Sequence, residues 1–221
     1  MTLTLHFHPF SSYCQKVLIA LYEAGTPFAK QVVNFGDPAS ADAFRALWPM
    51  GRFPVLVDDA RGATIPESSI IIEYLDRHYP GGAPMLPDDP EQCLQVRMLD
   101  RFFDSFVMTP MQKIVGDYIR AASSRDPQGV GEARALLAKA HGWLERELAE
   151  REWAAGDAFT MADCAAAPAL FYADLLEPLD AFPNVAGYLA RLRARPSFAR
   201  AVDEARPFRH YFPPGWPEGR D

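Results

Sequence analysis

Apolar residues alternate with polar ones along Leu3, Leu5 and Phe7, so Thr2 to Phe7 reads as a half-buried strand. From Ser12 to Ala24 the spacing turns helical, with Gly25 placed to stop the helix. Phe28 to Val33 reads as a second strand and Ala39 to Leu47 as a short helix. Val55-Leu56-Val57 is a short buried strand, Asp58 to Gly62 a turn, and Ala63-Thr64-Ile65 the returning strand. A helix through Ile70-Ile71-Ile72 and Tyr74-Leu75 ends before Pro80. The predicted order is β-α-β-α-β-β-α.

Pro80 to Pro90 holds four prolines and two glycines and reads as a linker. Beyond it only helical spacing recurs: Pro90 to Arg120, Gly129 to Glu152, Thr160 to Ala173, Val185 to Ala194, and a further helix after Pro196. Pro110 and Pro168 are expected to break or kink the helices that contain them. The tail from Pro207 carries four prolines among Phe208, His210, Tyr211, Phe212 and Trp216, and predicts an irregular strap. The expected organisation is an α/β domain over residues 1–80, a linker over 81–90, and an all-α domain over 91–221 with an irregular tail.

With 49% hydrophobic and 23% charged residues the chain is that of an ordinary globular protein. Its net charge of −7 argues against nucleic-acid binding, which needs clustered Lys and Arg. Arg191, Arg193, Arg195 and Arg200 form one basic run, read as the exposed face of a late helix. Three cysteines, Cys14, Cys93 and Cys164, fit a reducing compartment better than a disulfide framework. No signal-peptide pattern and no apolar run of roughly 20 residues is present, so a cytoplasmic protein with no membrane partner is the expectation.

Four local patterns carry candidate chemistry. Ser11-Ser12-Tyr13-Cys14 lies at a strand-to-helix turn, where thiol-disulfide enzymes place Cys-x-x-Cys. The free N–H groups and dipole of a helix N-terminus favour an anion, and a thiolate is one. A Ser in the first position keeps that site and leaves the sulfur to be supplied by a ligand. Moving a thiol pKa from about 8.5 to about 7 takes roughly 2 kcal/mol, within reach of one charge-assisted hydrogen bond. A plain N-cap is the other role open to Ser11, and Ser12 can serve as cap while Ser11 faces the ligand.

Second, Pro54 after Gly51-Arg52-Phe53 and before Val55 suits a cis proline, though an ordinary trans strand start fits too. A cis bend would leave the Phe53 N–H and C=O free to pair with an extended peptide ligand. Third, Pro66-Glu67-Ser68-Ser69 opens a helix, where backbone N–H groups and Ser68 suit a carboxylate and Glu67 suits an ammonium, or where Glu67 merely complements the dipole. Fourth, Thr160-Met161-Ala162-Asp163 is a capping box with Asp in place of Glu, read as structural. His6 and His8 share a strand face without a third ligand nearby, so no metal site is expected.

With these patterns in order along its whole length, the chain resembles the cytosolic glutathione transferase superfamily. Ser11 to Val17 looks like the Ser-bearing turn of theta- and zeta-like members, Phe53-Pro54-Val55 like the cis-Pro segment, Glu67 to Leu75 like the γ-glutamyl-binding segment, and Ala155 to Asp163 like the helix-capping segment of the helical domain. The resemblance implies a thioredoxin-like N-terminal domain followed by an all-α C-terminal domain, in a homodimer. It implies glutathione as co-substrate, with no tightly bound cofactor. Carried over by position, Ser11, or Ser12 in its place, stabilises the glutathione thiolate. The Phe53 backbone beside Pro54 holds the cysteinyl part, Glu67 and Ser68 the γ-glutamyl end, and Arg52 the glycyl carboxylate. The thiolate then attacks a small electrophile in an apolar pocket, for which Phe10, Phe103, Phe106, Val107, Met111 and Tyr118 are the candidates. Redox-active members carry Cys where this chain has Ser11, and Cys14 is read as a small buried hydrophobe. A glutathione-dependent isomerase of the maleylacetoacetate type, and a non-catalytic interaction protein on the same fold, are the alternatives.

Overall fold

The first strand, β1 (Leu3–Phe7), buries Leu3, Leu5 and Phe7 on one side, as its alternation predicts. In the computed structural model, which describes residues 2–82 and 84–219, it is followed by α1 (Ser12–Ala24). This helix starts on a Ser11 cap and stops at Gly25, whose φ of 64° is a left-handed conformation that costs glycine nothing. Next come β2 (Ala29–Val32), α2 (Pro38–Leu47), β3 (Val55–Asp58), β4 (Ala63–Pro66) and α3 (Ser68–His78). The sheet order is β2-β1-β3-β4, with β1 and β2 parallel and the other two pairings antiparallel. The observed order is that predicted from hydrophobic spacing, and the α/β unit with a thioredoxin-like arrangement followed by helices is the fold.

Within the expected linker, Gly81 approaches the end of α1 so closely that a Cβ there would lie 2.1 Å from the Ala24 carbonyl oxygen. Ala83 of that linker, and Met1, Arg220 and Asp221 of the expected domains, lie outside the described residues. The second half comprises α4 (Pro90–Phe102), α5 (Thr109–Tyr118), α6 (Pro127–Glu147), α7 (Met161–Asp174), α8 (Pro183–Ala194) and α9 (Pro196–Ala205). Among the described residues no helix is long and apolar enough to cross a membrane.

Several expectations change. The helix predicted from Pro90 to Arg120 widens into a π-helical stretch over Phe103–Met108, directly before Pro110 in the first turn of α5. Pro110 has no N–H to continue the ladder, and a local π segment absorbs the mismatch. The helix expected at Gly129 to Glu152 runs over Pro127–Glu147, because the Asp126 carboxylate accepts from the Gly129 N–H at 2.9 Å and caps it earlier. By contrast, α7 runs unbroken through Pro168. Every residue from Met161 to Ala173 is buried, so neighbours on all sides support the helix across Pro168. The tail is ordered as a 3-10 helix over Arg206–Tyr211 before becoming irregular. Arg195 is half-buried rather than simply exposed: it pairs with Glu23 at 2.5 Å and lies 4.0 Å from the Phe159 ring centre.

The core is continuous between the halves, with α1 packed against both α7 and α9. The capping box of α7 is present: Asp163 accepts from the Thr160 N–H at 2.8 Å, and also from the Ala154 N–H and the Tyr188 hydroxyl, at 2.8 and 2.5 Å. A buried carboxylate so surrounded anchors the helix.

Candidate active site

The register of the sheet gathers three connections at one end. His6 pairs with Val55, and Val55 pairs with Pro66. The β1–α1 turn, the entry to β3 and the exit of β4 therefore adjoin one another. Each carries one of the candidate patterns.

In the β1–α1 turn, Ser11 is the N-cap. Its Oγ accepts from the Cys14 N–H at 3.4 Å, and its own N–H donates to the His8 carbonyl at 3.0 Å. Ser12 instead lies buried within the first turn, with Oγ donating to the Met108 sulfur at 3.2 Å. The cap is thus Ser11 and not, as the sequence allowed, Ser12. An oxygen that accepts from Cys14 still has its hydroxyl hydrogen to donate, so capping and anion binding coexist in Ser11. Cys14 is fully buried, and burial pushes its thiol up to about 12. It packs as a small hydrophobe and carries no thiolate at neutral pH.

Gln15, also buried, donates from Nε2 to the Pro9 carbonyl and to the Tyr172 hydroxyl, each at 3.0 Å. The Tyr172 hydroxyl lies 3.4 Å from the Phe10 carbonyl. These bonds fasten the turn to α7, far away in sequence.

At the entry to β3 the Phe53–Pro54 peptide is cis. Phe53 is half-buried and Arg52 exposed. Among the described residues no hydrogen bond reaches the Phe53 N–H or carbonyl. At the exit of β4, Glu67 has φ 70° and ψ 119°, a left-handed-side conformation that side chains other than glycine rarely adopt. Its side chain is exposed and makes no cap bond, while Ser68 is 6% exposed in the first turn of α3. Backbone strain of this kind concentrates at binding sites.

A cavity of about 620 Å³ opens at this junction. Of the predicted residues, Ser11, Ser12, Phe10, Phe53 and Met111 line it. Arg52, Pro54, Glu67 and Ser68 do not line it; Arg52 and Pro54 flank Phe53 in the chain, and Glu67 and Ser68 follow Pro66, which pairs with Val55. Four of the expected pocket residues are elsewhere. Phe103 and Val107 are fully buried in the core, since the π-helical turn rotates them inward. Phe106 lines a separate cavity with Phe102, Trp143, Lys139 and Arg146. Tyr118 is exposed at the end of α5, outside the cavity. The remaining wall comes from residues the sequence did not single out. They include Asn34 and Phe35 after β2, Gln112, Val115 and Gly116 on α5, Tyr172 on α7, and Tyr211 and Phe212 of the tail. Spacing could have found part of this, because Met111, Gln112, Val115 and Gly116 recur on one helical face. The tail residues carry no such signal.

His6 packs towards Phe44 whereas His8 turns into the cavity, and among the described residues no group of three or more His, Cys, Asp or Glu side chains is gathered to hold a metal.

Residues 5–83 match the family described as glutathione S-transferase, N-terminal domain, and residues 121–191 match glutathione S-transferase, C-terminal domain. A glutathione S-transferase-like protein of Fusarium is 31% identical, over 75% of this chain and 74% of its own. FtsZ-localized protein A of Caulobacter vibrioides is 29% identical, over 88% of each chain. Among solved structures, a glutathione S-transferase of Methylobacterium radiotolerans in complex with glutathione sulfonate superposes with a TM-score of 0.80 at 30% identity, covering 91% of this chain and 95% of that one.

Proposed function

The chain belongs to the cytosolic glutathione S-transferase superfamily, and on that premise we propose that it conjugates the thiolate of reduced glutathione to a small, largely apolar electrophile. The observation that carries the reading is the position of Ser11. It caps α1 on the wall of a cavity that Phe53 of the cis-Pro loop also lines.

In this reading the Ser11 hydroxyl donates to the glutathione sulfur, and the α1 N-terminus adds its dipole, so the bound thiol ionises near neutral pH. The free Phe53 N–H and C=O pair with the cysteinyl backbone, as an added strand would, and Pro54 fixes that edge. Ser68 and the first turn of α3 receive the γ-glutamyl carboxylate, with Glu67 on the ammonium beside it. Arg52 meets the glycyl carboxylate. The electrophile sits against Phe10 and Met111, where the aromatic wall excludes water and leaves the sulfur unsolvated. Glutathione is a co-substrate here, and no tightly bound cofactor takes part. A homodimer is part of the proposal: Ile70 on α3 and Leu94 and Met98 on α4 are exposed at 54%, 61% and 46%, more apolar surface than those helices need.

Calorimetric titration with reduced glutathione, followed by mass analysis of products from a panel of electrophiles, tests the reading. Saturable binding and products heavier by one glutathione support it, while products of unchanged mass would mark an isomerase. The similarity to FtsZ-localized protein A favours a second reading, a protein-binding role on the same fold. Absence of glutathione binding at millimolar concentration would shift the weight to that reading.

A further inference from the structure

The carbonyls of His8, Pro9, Phe10 and Ser11 follow one another into α1, and all four are taken up by donors. The His8 oxygen accepts from the Ser11 N–H at 3.0 Å and the Ser11 oxygen from the Gln15 N–H at 2.9 Å, both within the turn. The Pro9 oxygen accepts from Gln15 Nε2 at 3.0 Å, and the Phe10 oxygen from the Tyr172 hydroxyl at 3.4 Å. Gln15 Nε2 also donates to the Tyr172 oxygen at 3.0 Å. The directions of these bonds are fixed by chemistry. A carbonyl only accepts, so the amide nitrogen of Gln15, and not its oxygen, faces Pro9. The second amide hydrogen then goes to the Tyr172 oxygen, which leaves the hydroxyl hydrogen for Phe10.

Tyr172 borders the cavity, yet it is 4% exposed and its hydroxyl hydrogen is committed to Phe10. Burial holds its ionisation above the usual tyrosine value, so it stays a neutral donor. Its action is therefore on the turn and not on a ligand. The Phe10 carbonyl and the Ser11 N–H belong to one planar peptide. Tyr172 holds one edge of that plane and the His8 carbonyl holds the other. The orientation of the plane sets where the Ser11 side chain leaves the backbone. Resting on the transferase reading, we propose that Tyr172 is a positioning residue for Ser11, acting from 157 residues beyond Gln15 through that side chain and the Pro9 and Phe10 carbonyls. Without its hydroxyl the Phe10–Ser11 peptide is held at one edge only and turns more freely. The Phe10 oxygen is then unpaired beside the sulfur, and its negative partial charge disfavours a thiolate there. The glutathione contacts assigned to Phe53 and Ser68 do not involve this plane.

Two variants separate this role from mere support of the fold. Tyr172→Phe keeps the ring and removes only the oxygen. Gln15→Leu removes the other half of the link and leaves Tyr172 in place. The ultraviolet absorbance of the thiolate, followed against pH in the complex with reduced glutathione, reads the ionisation of the bound thiol. Its pKa is expected to rise by about 1 in Tyr172→Phe, so that kcat/KM is about 10-fold lower at pH values below both pKa values and converges on the wild type above them. A loosened fold would lower kcat/KM at every pH. Binding of S-methylglutathione, which has no thiol to ionise, is expected to be unchanged. Because the two residues act as one link, the double variant is expected to match the larger of the single shifts. An unshifted thiol pKa in Tyr172→Phe overturns the proposal, as does weaker S-methylglutathione binding with no such shift, or a double-variant shift equal to the sum of the two. Each of these leaves the transferase reading standing where the wild type lowers the pKa of bound glutathione. A wild type that binds no glutathione overturns both.

Discussion

Lys16 Nζ lies 2.6 Å from Asp100 Oδ1, with the two side chains 1% and 2% exposed. Ser69 Oγ accepts from the same ammonium at 2.9 Å and donates to Asp100 Oδ2 at 2.7 Å, and Asp104 Oδ2 stands 3.0 Å from Lys16. One buried cation thus joins α1 just below the Ser11 cap, α3 just after Ser68, and the helices of the second half. Two of the candidate glutathione-binding segments are tied to one ionic cluster, and through it to the helical half.

Lys16→Met is expected to cost about 3–5 kcal/mol of stability, because it leaves the buried Asp100 without its close cation, while Asp104 keeps Arg101. Denaturant unfolding measures this. Adding Asp100→Asn to Lys16→Met is expected to recover part of the loss, and a double variant no more stable than the single one would contradict the cluster's role.

Ser11→Ala is expected to lower kcat/KM by about 10- to 100-fold, the worth of one charge-assisted hydrogen bond to a thiolate. The cap is lost as well, at about 1 kcal/mol of stability. Ser12→Ala removes a bond to the Met108 sulfur and is expected to change catalysis far less. Steady-state kinetics with one electrophile and varied glutathione decides, and a larger effect at Ser12 would exchange the two roles.

Glu67 holds a conformation at φ 70° that costs a non-glycine residue about 1–3 kcal/mol. Glu67→Gly relieves it, offset by about 0.5–1 kcal/mol of added chain entropy. Melting temperature is therefore expected to hold or rise while glutathione affinity falls. Calorimetry and thermal unfolding on the same sample check the pair, and a drop in both would show that Glu67 stabilises the fold instead.

His141 in α6 is 1% exposed, its Nε2 has no hydrogen-bond partner among the described residues, and burial lowers its pKa from 6.5 to about 4 against the pull of Asp174. The unfolded chain therefore binds the proton more readily between pH 6.5 and 4. Stability from this group is complete above 6.5 and falls as the pH drops, by about 2 kcal/mol at pH 5 and about 3 at the limit. His141→Leu is expected to flatten the dependence of unfolding free energy on pH between 7 and 5. Parallel slopes for variant and wild type would reject the assignment.

Where sequence signals are local, they were sufficient. Ser11, the apolar spacing through Leu21 and Gly25 define α1 within the chain itself, and the Thr160 to Asp163 box starts α7 by bonds spanning three residues. The order of elements followed from short alternating runs between turn residues, and the four patterns that carry the family resemblance are contiguous segments. Contacts between distant segments were not legible. Phe103 and Phe106 look alike on a helical wheel, and only the π-helical turn before Pro110 buried one and left the other beside Trp143. Nor does the sequence near Ser11 say that Tyr172 will brace its turn or that Phe208 and Tyr211 will close on His8. The elements were determined by the sequence because capping, turn chemistry and hydrophobic period act over a few residues. The cavity was decided by tertiary structure because its walls are side chains from six separate segments, and their meeting depends on how the whole core packs.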